Sequence, residues 1–269
     1  MTGAREGGTR PPWPLAVPAA VAAAFLLLPL VGLLVRAPWR SLPALVADPL
    51  LREALRLSLL SATLATAVSL LIGVPLAWVL ARARFRGLSL LRALVILPLV
   101  LPPVVGGVAL LLAFGRRGVA GRWLDAWFGL SIPYTTTAVV LAETFVALPF
   151  LVVTVEGALR GADPRFEEAS ASLGAGRWTT FRRVTLPLVA PSVLAGSVLC
   201  WARALGEFGA TITFAGNFPG TTQTMPTAVY LALETDPDAA IALSLVLLLV
   251  SVLVLVSLRD RVLRAGAPR

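Results

Sequence analysis

Six apolar runs, each about as long as a bilayer is thick, constrain this chain more than anything else in it. They lie at about 13–35, 55–80, 91–114, 135–155, 188–208 and 239–258. A helix needs about 20 apolar residues to cross a hydrocarbon core of roughly 30 Å. Inside that core every backbone N–H and C=O must find a partner, which a helix supplies within its own segment. Strands of a membrane barrel are about half as long. The chain is 58% hydrophobic and 14% charged, with a mean hydropathy of +0.87, which no soluble 269-residue domain needs. The fold class that follows is an all-α integral membrane protein of about six transmembrane helices. A single domain spans 13–258, between an N-terminal tail at 1–12 and a C-terminal tail at 259–269.

All 23 basic residues are arginine, and the net charge is +9. Such a balance can mark a nucleic-acid binder, but here the arginines flank spans and read as a topology signal. Two lie in the N-terminal tail, four in 82–92, five in 160–183 and four in the C-terminal tail. The alternate loops hold only Arg36, Arg40, Arg52, Arg116, Arg117 and Arg122, and the stretch 209–238 holds none. The tails and the 160–187 loop are therefore expected in the cytoplasm, and 209–238 outside. The first run is about 23 residues with Arg36 behind it, so we read it as an uncleaved span rather than a secretory signal. The lone Cys200 has no partner for an internal disulfide and reads as a small packing residue.

The 160–187 loop is polar and helix-forming, unlike its flanks. Asp163-Pro164 is a helix start, since Asp accepts from free amides and Pro suits the first turn. Phe166, Ala169 and Leu173 then share one apolar stripe beside an acidic edge at Glu167 and Glu168, and Gly174 is a natural stop. A second short helix is expected around Arg177 and Trp178, with Pro187 opening span five. An interfacial helix on anionic lipid shows a basic polar face; the acidic first helix suits a protein groove instead.

Two spans carry helix breakers. Span two is expected to end near Gly73-Val74-Pro75, and span three holds Pro98, Pro102 and Pro103 followed by Gly106-Gly107. Proline removes a helical hydrogen bond and crowds the previous turn. In a membrane this is tolerated where neighbouring helices or a water-lined path satisfy the freed carbonyls. Span three is thus the candidate broken helix of a translocation path. Glu143, Glu156, Arg203 and Glu207 are ionisable groups in or near spans, where charge is costly and marks a function or a pair. At about 1.5 Å per residue, Arg203 and Glu143 fall at similar depth, so Arg203 is expected to pair with Glu207, one turn away, or with Glu143. There is no His and no Lys, which removes histidine bases, histidine-ligated metals and the phosphate-binding lysine of a P-loop.

These motifs resemble a known family. Glu168-Ala169-Ser170, three residues, Gly174, nine residues, then Val184-x-Leu186-Pro187 is similar to the cytoplasmic coupling motif of ABC importer permeases, with Ser170 for Ala and Val184 for Ile. The segments 96–107, 143–152 and 184–234 resemble molybdate permease subunits, within the molybdate, sulfate and tungstate branch. Glu143 departs from the family, where an uncharged residue such as Gln is usual. The resemblance covers about 55–258 and implies a type I ABC importer permease fold in a prokaryotic cytoplasmic membrane. It implies a homodimer, two cytoplasmic ATPase subunits carrying ATP and Mg²⁺, and an extracytoplasmic oxyanion-binding protein, with no cofactor on this chain. Glu167, Glu168, Ala169, Ser170, Leu173, Gly174, Val184, Leu186 and Pro187 would couple to the ATPase. Pro102, Pro103, Gly106, Gly107, Glu143, Arg203 and Glu207 would serve the path or its gate. A sulfate or tungstate permease is the near alternative. An ATP-independent secondary anion transporter is the distant one; it would favour a proton relay or repeated spans, and neither is seen.

Overall fold

The computed structural model describes the backbone of residues 13–265 and the side chains of 13–254 and 256. The tail at 1–12 and the end of the tail at 259–269, from 266 on, lie outside the described residues. Among the described residues every regular element is helical.

Helix α1, Trp13–Val35, buries none of its residues. A short α2, Leu42–Ala47, leads into α3, Pro49–Arg82. At 34 residues α3 is about 50 Å long by its rise per residue, so its ends project beyond the hydrocarbon. It begins well before residue 55 and continues through Pro75. Its buried residues are mostly small, Ala54, Ser58, Ser61, Ala62, Ala65, Ser69, Gly73 and Ala77 among them. Small residues let helix backbones approach closely where no hydrophobic force separates protein from lipid. At Gly73 a Cβ would lie 2.8 Å from Leu148 Cδ1. The close neighbour is α7, Thr136–Gly161, the most buried helix, with Ala142, Ala147, Leu151, Val152 and Val155 in the core.

Span three is two helices, α4 at Leu88–Val100 and α5 at Pro103–Phe114. Between them Leu101 and Pro102 are extended, with ψ of 133° and 132°. The expected break is real, and its cause is local. Pro102 and Pro103 have no N–H to give to the carbonyls four residues earlier. A short α6, Gly121–Phe128, precedes α7.

After α7 come α8, Arg165–Ser172, and α9, Arg177–Thr180. A π-helical turn, Phe181–Thr185, then joins α9 to α10, Leu186–Leu205. The helix that carries span five therefore starts near Arg177, ahead of Pro187, and ends before Glu207. Pro187 cannot bond to the carbonyl of Arg183 and would crowd it; the widened turn just before it relieves both problems.

The largest correction concerns 209–238, expected as an outer loop. It folds into α11, Gly209–Phe214, and α12, Met225–Thr235, before the last span α13, Pro237–Ala265. Ala210, Thr211, Phe214 and Met225 are fully buried. Among the described residues five helices are long and apolar enough to cross a membrane, at Trp13–Val35, Pro49–Arg82, Thr136–Gly161, Arg177–Leu205 and Pro237–Val254, and α4 and α5 are shorter apolar helices.

Candidate functional site

Two regions carry the sequence-predicted residues: the α8–α9 loop at one end of the bundle, and a set of charges toward the other.

At the loop end, Asp163 Oδ1 accepts from the amide of Arg165 at 2.9 Å and starts α8 as expected. The helix stops at Ser172, and Gly174 turns the chain with φ +83°, a left-handed value that favours glycine. Phe166, Ala169 and Leu173 are exposed, Leu173 at 89%. The apolar stripe is therefore left open at the end of the bundle. Glu168 is exposed beside it. Glu167 is not part of that edge and corrects the expectation. Its carboxylate turns toward the bundle, where Oε1 lies 3.0 Å from Arg82 Nη2 at the end of α3. The same oxygen accepts from the hydroxyl of Thr185 at 3.0 Å. Ser170 joins the inward side, 3.0 Å from Thr180 across hydroxyl oxygens. Val184 is half-buried in the π turn and Leu186 half-buried at the start of α10, with Pro187 exposed beside it. The second half of the motif therefore roots the loop in the bundle instead of adding to its exposed face.

A cleft of about 320 Å³ opens between α3, α8 and the α9 segment, lined by Trp78, Arg82, Glu167, Ala171, Arg177 and Thr185 among others. Close by, Glu156 of α7 ties three helices together. Its Oε1 is 3.0 Å from Arg92 Nε of α4 and 3.0 Å from Arg160 Nη2. Both guanidiniums also donate to the carbonyl of Leu80 in α3, at 3.2 and 3.3 Å.

Toward the other end, Arg203 pairs with Glu207, Nη1 to Oε2 at 2.6 Å. Of the two partners expected for it, the structure selects the one on its own chain segment. Glu207 is 1% exposed, and its other oxygen accepts from the amide of Ala210 at 2.8 Å. One carboxylate thus neutralises the arginine and caps the first turn of α11. Glu143 makes no bond to the pair. It is buried in α7, where Oε1 accepts from Ser61 Oγ of α3 at 2.8 Å while Oε2 has no partner.

The four helix-breaking residues divide. Pro102 and Pro103 are exposed at the break, whereas Gly106 and Gly107 are buried contacts. A Cβ on Gly107 would lie 2.9 Å from the carbonyl oxygen of Ala210 and 2.7 Å from Thr213 Cβ. These glycines seat α5 against α11 and α7.

Arg82, Thr185, Arg92 and Arg160 had no signal as a site, and Glu156 had stood out only as a charge near a span. Arg82 and Glu167 are 85 residues apart, and no local rule joins them. Cys200 is buried, as its packing role requires.

Known proteins resemble this chain along most of its length. Residues 69–265 match the family described as binding-protein-dependent transport system inner membrane component. The molybdenum transport system permease protein ModB of Mycobacterium tuberculosis is 52% identical over 84% of this chain and 85% of its own. ModB of Escherichia coli K12 is 46% identical over 68% of this chain and 80% of its own. The sulfate transport system permease protein CysT of the same bacterium is 38% identical over 78% and 76%. Among solved structures, a bacterial ABC transporter that imports the acidic polysaccharide alginate superposes with a TM-score of 0.76 over 95% of this chain and 96% of that one, at 17% identity. The MetNI methionine ABC transporter superposes with a TM-score of 0.64 over 81% and 97%, at 18% identity. The fold is that of the type I ABC importer permeases, and the chain belongs to the family of binding-protein-dependent transport system inner membrane components.

Proposed function

We propose that this chain is the membrane-spanning subunit of an ATP-driven importer of molybdate. The observation that carries the reading is 52% identity to a molybdenum permease over 84% of the chain, against 38% to a sulfate permease. The subunit works as a homodimer in a prokaryotic cytoplasmic membrane, with its N-terminus and the 160–187 loop in the cytoplasm, in keeping with the crowding of arginine on that side. Two ATPase subunits bind below and supply ATP and Mg²⁺; an extracytoplasmic binding protein delivers the oxyanion from above.

The geometry suits this division of labour. The exposed stripe Phe166, Ala169 and Leu173, with Glu168 beside it, offers the ATPase a short amphipathic handle. Closure of the ATPases on ATP draws the two handles together, and the spans tilt to open the path outward. Pro102 and Pro103 give span three a point where its two halves can reorient. The intramembrane arginine is already neutralised by Glu207, so the path holds the dianion weakly and leaves selectivity to the binding protein.

The test is uptake in a strain that lacks its own high-affinity molybdate transport. Expression of the permease with its ATPase and binding protein should restore growth on low molybdate, and ATPase-dead variants should abolish it. Uptake that excess sulfate suppresses as well as molybdate does would move the chain to the sulfate branch. Uptake that survives loss of ATP hydrolysis would place it among secondary transporters.

A further inference from the structure

Helix α8 has two working faces, and only one of them fits a partner. Residues 167, 170 and 171 lie within about 100° of one another around the helix, since each residue advances it by roughly that angle. The exposed residues Phe166, Ala169 and Leu173 cluster on a different side. The inward side meets the bundle through few groups. Ser170 reaches Thr180 within the loop itself. Ala171 lines the cleft beneath without filling it. Glu167 alone reaches both α3, through Arg82, and the root of α10, through Thr185.

We propose that Glu167 is the positioning residue through which displacement of α8 reaches the membrane helices. This rests on the importer reading given above. Beside the cleft of about 320 Å³, α8 has no polar side-chain tie to α3 other than Glu167 among the described residues, so force that reaches α3 from the handle goes through that carboxylate. A carboxylate shared by a guanidinium and a hydroxyl, each at 3.0 Å, resists both separation and sliding. The two partners sit where a push is useful. Arg82 is the last residue of α3, so force on it acts along a 34-residue rod that passes the buried core. Thr185 closes the π turn, the least regular point of the Arg177–Leu205 helix, so force there changes the angle at which α10 enters the bundle. The Arg82 side chain is 22% exposed and that of Glu167 27%, so the pair is screened only in part and can re-form as the helices move.

Glu167 is thus separated in role from its neighbour. Glu168 faces outward, where a partner sits; Glu167 faces inward and acts on α3 and α10. Removing the first kind of residue should detach the ATPase, whereas removing the second should leave it attached and idle.

The experiment uses the reconstituted complex of permease, ATPase and binding protein, and reads ATPase co-purification, ATP hydrolysis and oxyanion uptake together. In Glu167→Gln and Arg82→Gln the ATPase should still co-purify, hydrolysis should continue, and uptake per ATP should fall by about tenfold, a typical coupling between sites. Thr185→Val, which removes one arm and keeps the ion pair, should show a smaller fall in the same ratio. The exchange Arg82→Glu with Glu167→Arg restores opposite charges across the gap and should recover most of the loss. A merely structural role would lower the yield or the melting temperature of these variants and leave uptake per ATP unchanged, which overturns the proposal. Loss of ATPase binding in Glu167→Gln, matching that of Leu173→Arg, would also overturn it by placing Glu167 on the docking face. Failure of the unaltered permease to bind or stimulate the ATPase would instead refute the importer reading itself. Should Glu167→Gln fail to accumulate, Thr185→Val alone decides by its uptake per ATP.

Discussion

Glu207 serves two masters, and that decides what Arg203 is for. Its Oε2 holds Arg203 and its Oε1 holds the amide of Ala210, all within a fully buried carboxylate. Arg203→Gln strips the charge partner and leaves a buried anion with one amide, a change that costs about 3 kcal/mol or more at comparable buried pairs. The variant should show reduced membrane yield and a lower melting temperature. Arg203→Gln combined with Glu207→Gln should recover more than half of that loss, because no unpaired charge is left. Glu143→Gln should not rescue it, since Glu143 bonds to Ser61 and not to Arg203. Normal yield in Arg203→Gln together with lost uptake would instead make the arginine an anion guide. The i, i+4 spacing made this pair legible, because four residues of separation keep the two side chains in reach even though α10 ends at Leu205. The Ser61–Glu143 bond spans 82 residues, and no local rule joins its ends.

At the scale of elements, the helix breakers separate by what they touch. Gly107→Ala would bring a Cβ within 3.0 Å of backbone atoms of α11, which cannot step aside cheaply. Gly106→Ala would meet only the ring of Phe145, at 3.1 Å, and an aromatic side chain can tilt. We expect Gly107→Ala to lower thermal stability by about 1–3 kcal/mol, as overpacking does, and Gly106→Ala to do so much less. Equal losses would show that α11 is free to shift on α5. On the coupling handle, Ala169→Arg should abolish ATPase co-purification without loss of permease from the membrane, because Ala169 is exposed and supports nothing in the bundle. Retained co-purification would remove the stripe from the docking surface. The start of α8, its stripe, its stop at Gly174 and the break at Pro102 were readable because caps, periodicity and prolines act within a few residues. The fold of 209–238 was not. Gly209 and Gly107 let α11 lie against α5, a tertiary fact without a local signal.

The whole molecule must hide what its broken span exposes. In an unbroken helix the carbonyls of Pro98 and Leu99 would accept from residues 102 and 103, but both of those are proline and have no N–H. Unsatisfied carbonyls facing lipid cost several kcal/mol each, so irregular backbone at this depth is tolerated only against protein or water. One side of α5 is already taken, since Gly106, Gly107 and Leu110 are buried against α7 and α11. The other side shows Val104, Val108 and Leu112 at successive turns, all exposed, with Pro102 and Pro103 at its base. If lipid covered that side, the break would be stranded in hydrocarbon. A second copy across a shared path would resolve it, which gives the homodimer a physical reason. Single cysteines at Val104 and Val108 in a Cys200→Ser background should therefore cross-link the two copies under mild oxidation. The yield should change when the ATPases are trapped with ATP, because α4 and α5 can hinge at Leu101-Pro102 as the spans tilt. Cross-linking that is equally strong in every state would describe a static interface. No cross-link in any state, with both cysteines open to a lipid-soluble thiol reagent, would turn this face of α5 to lipid and remove span three from the path.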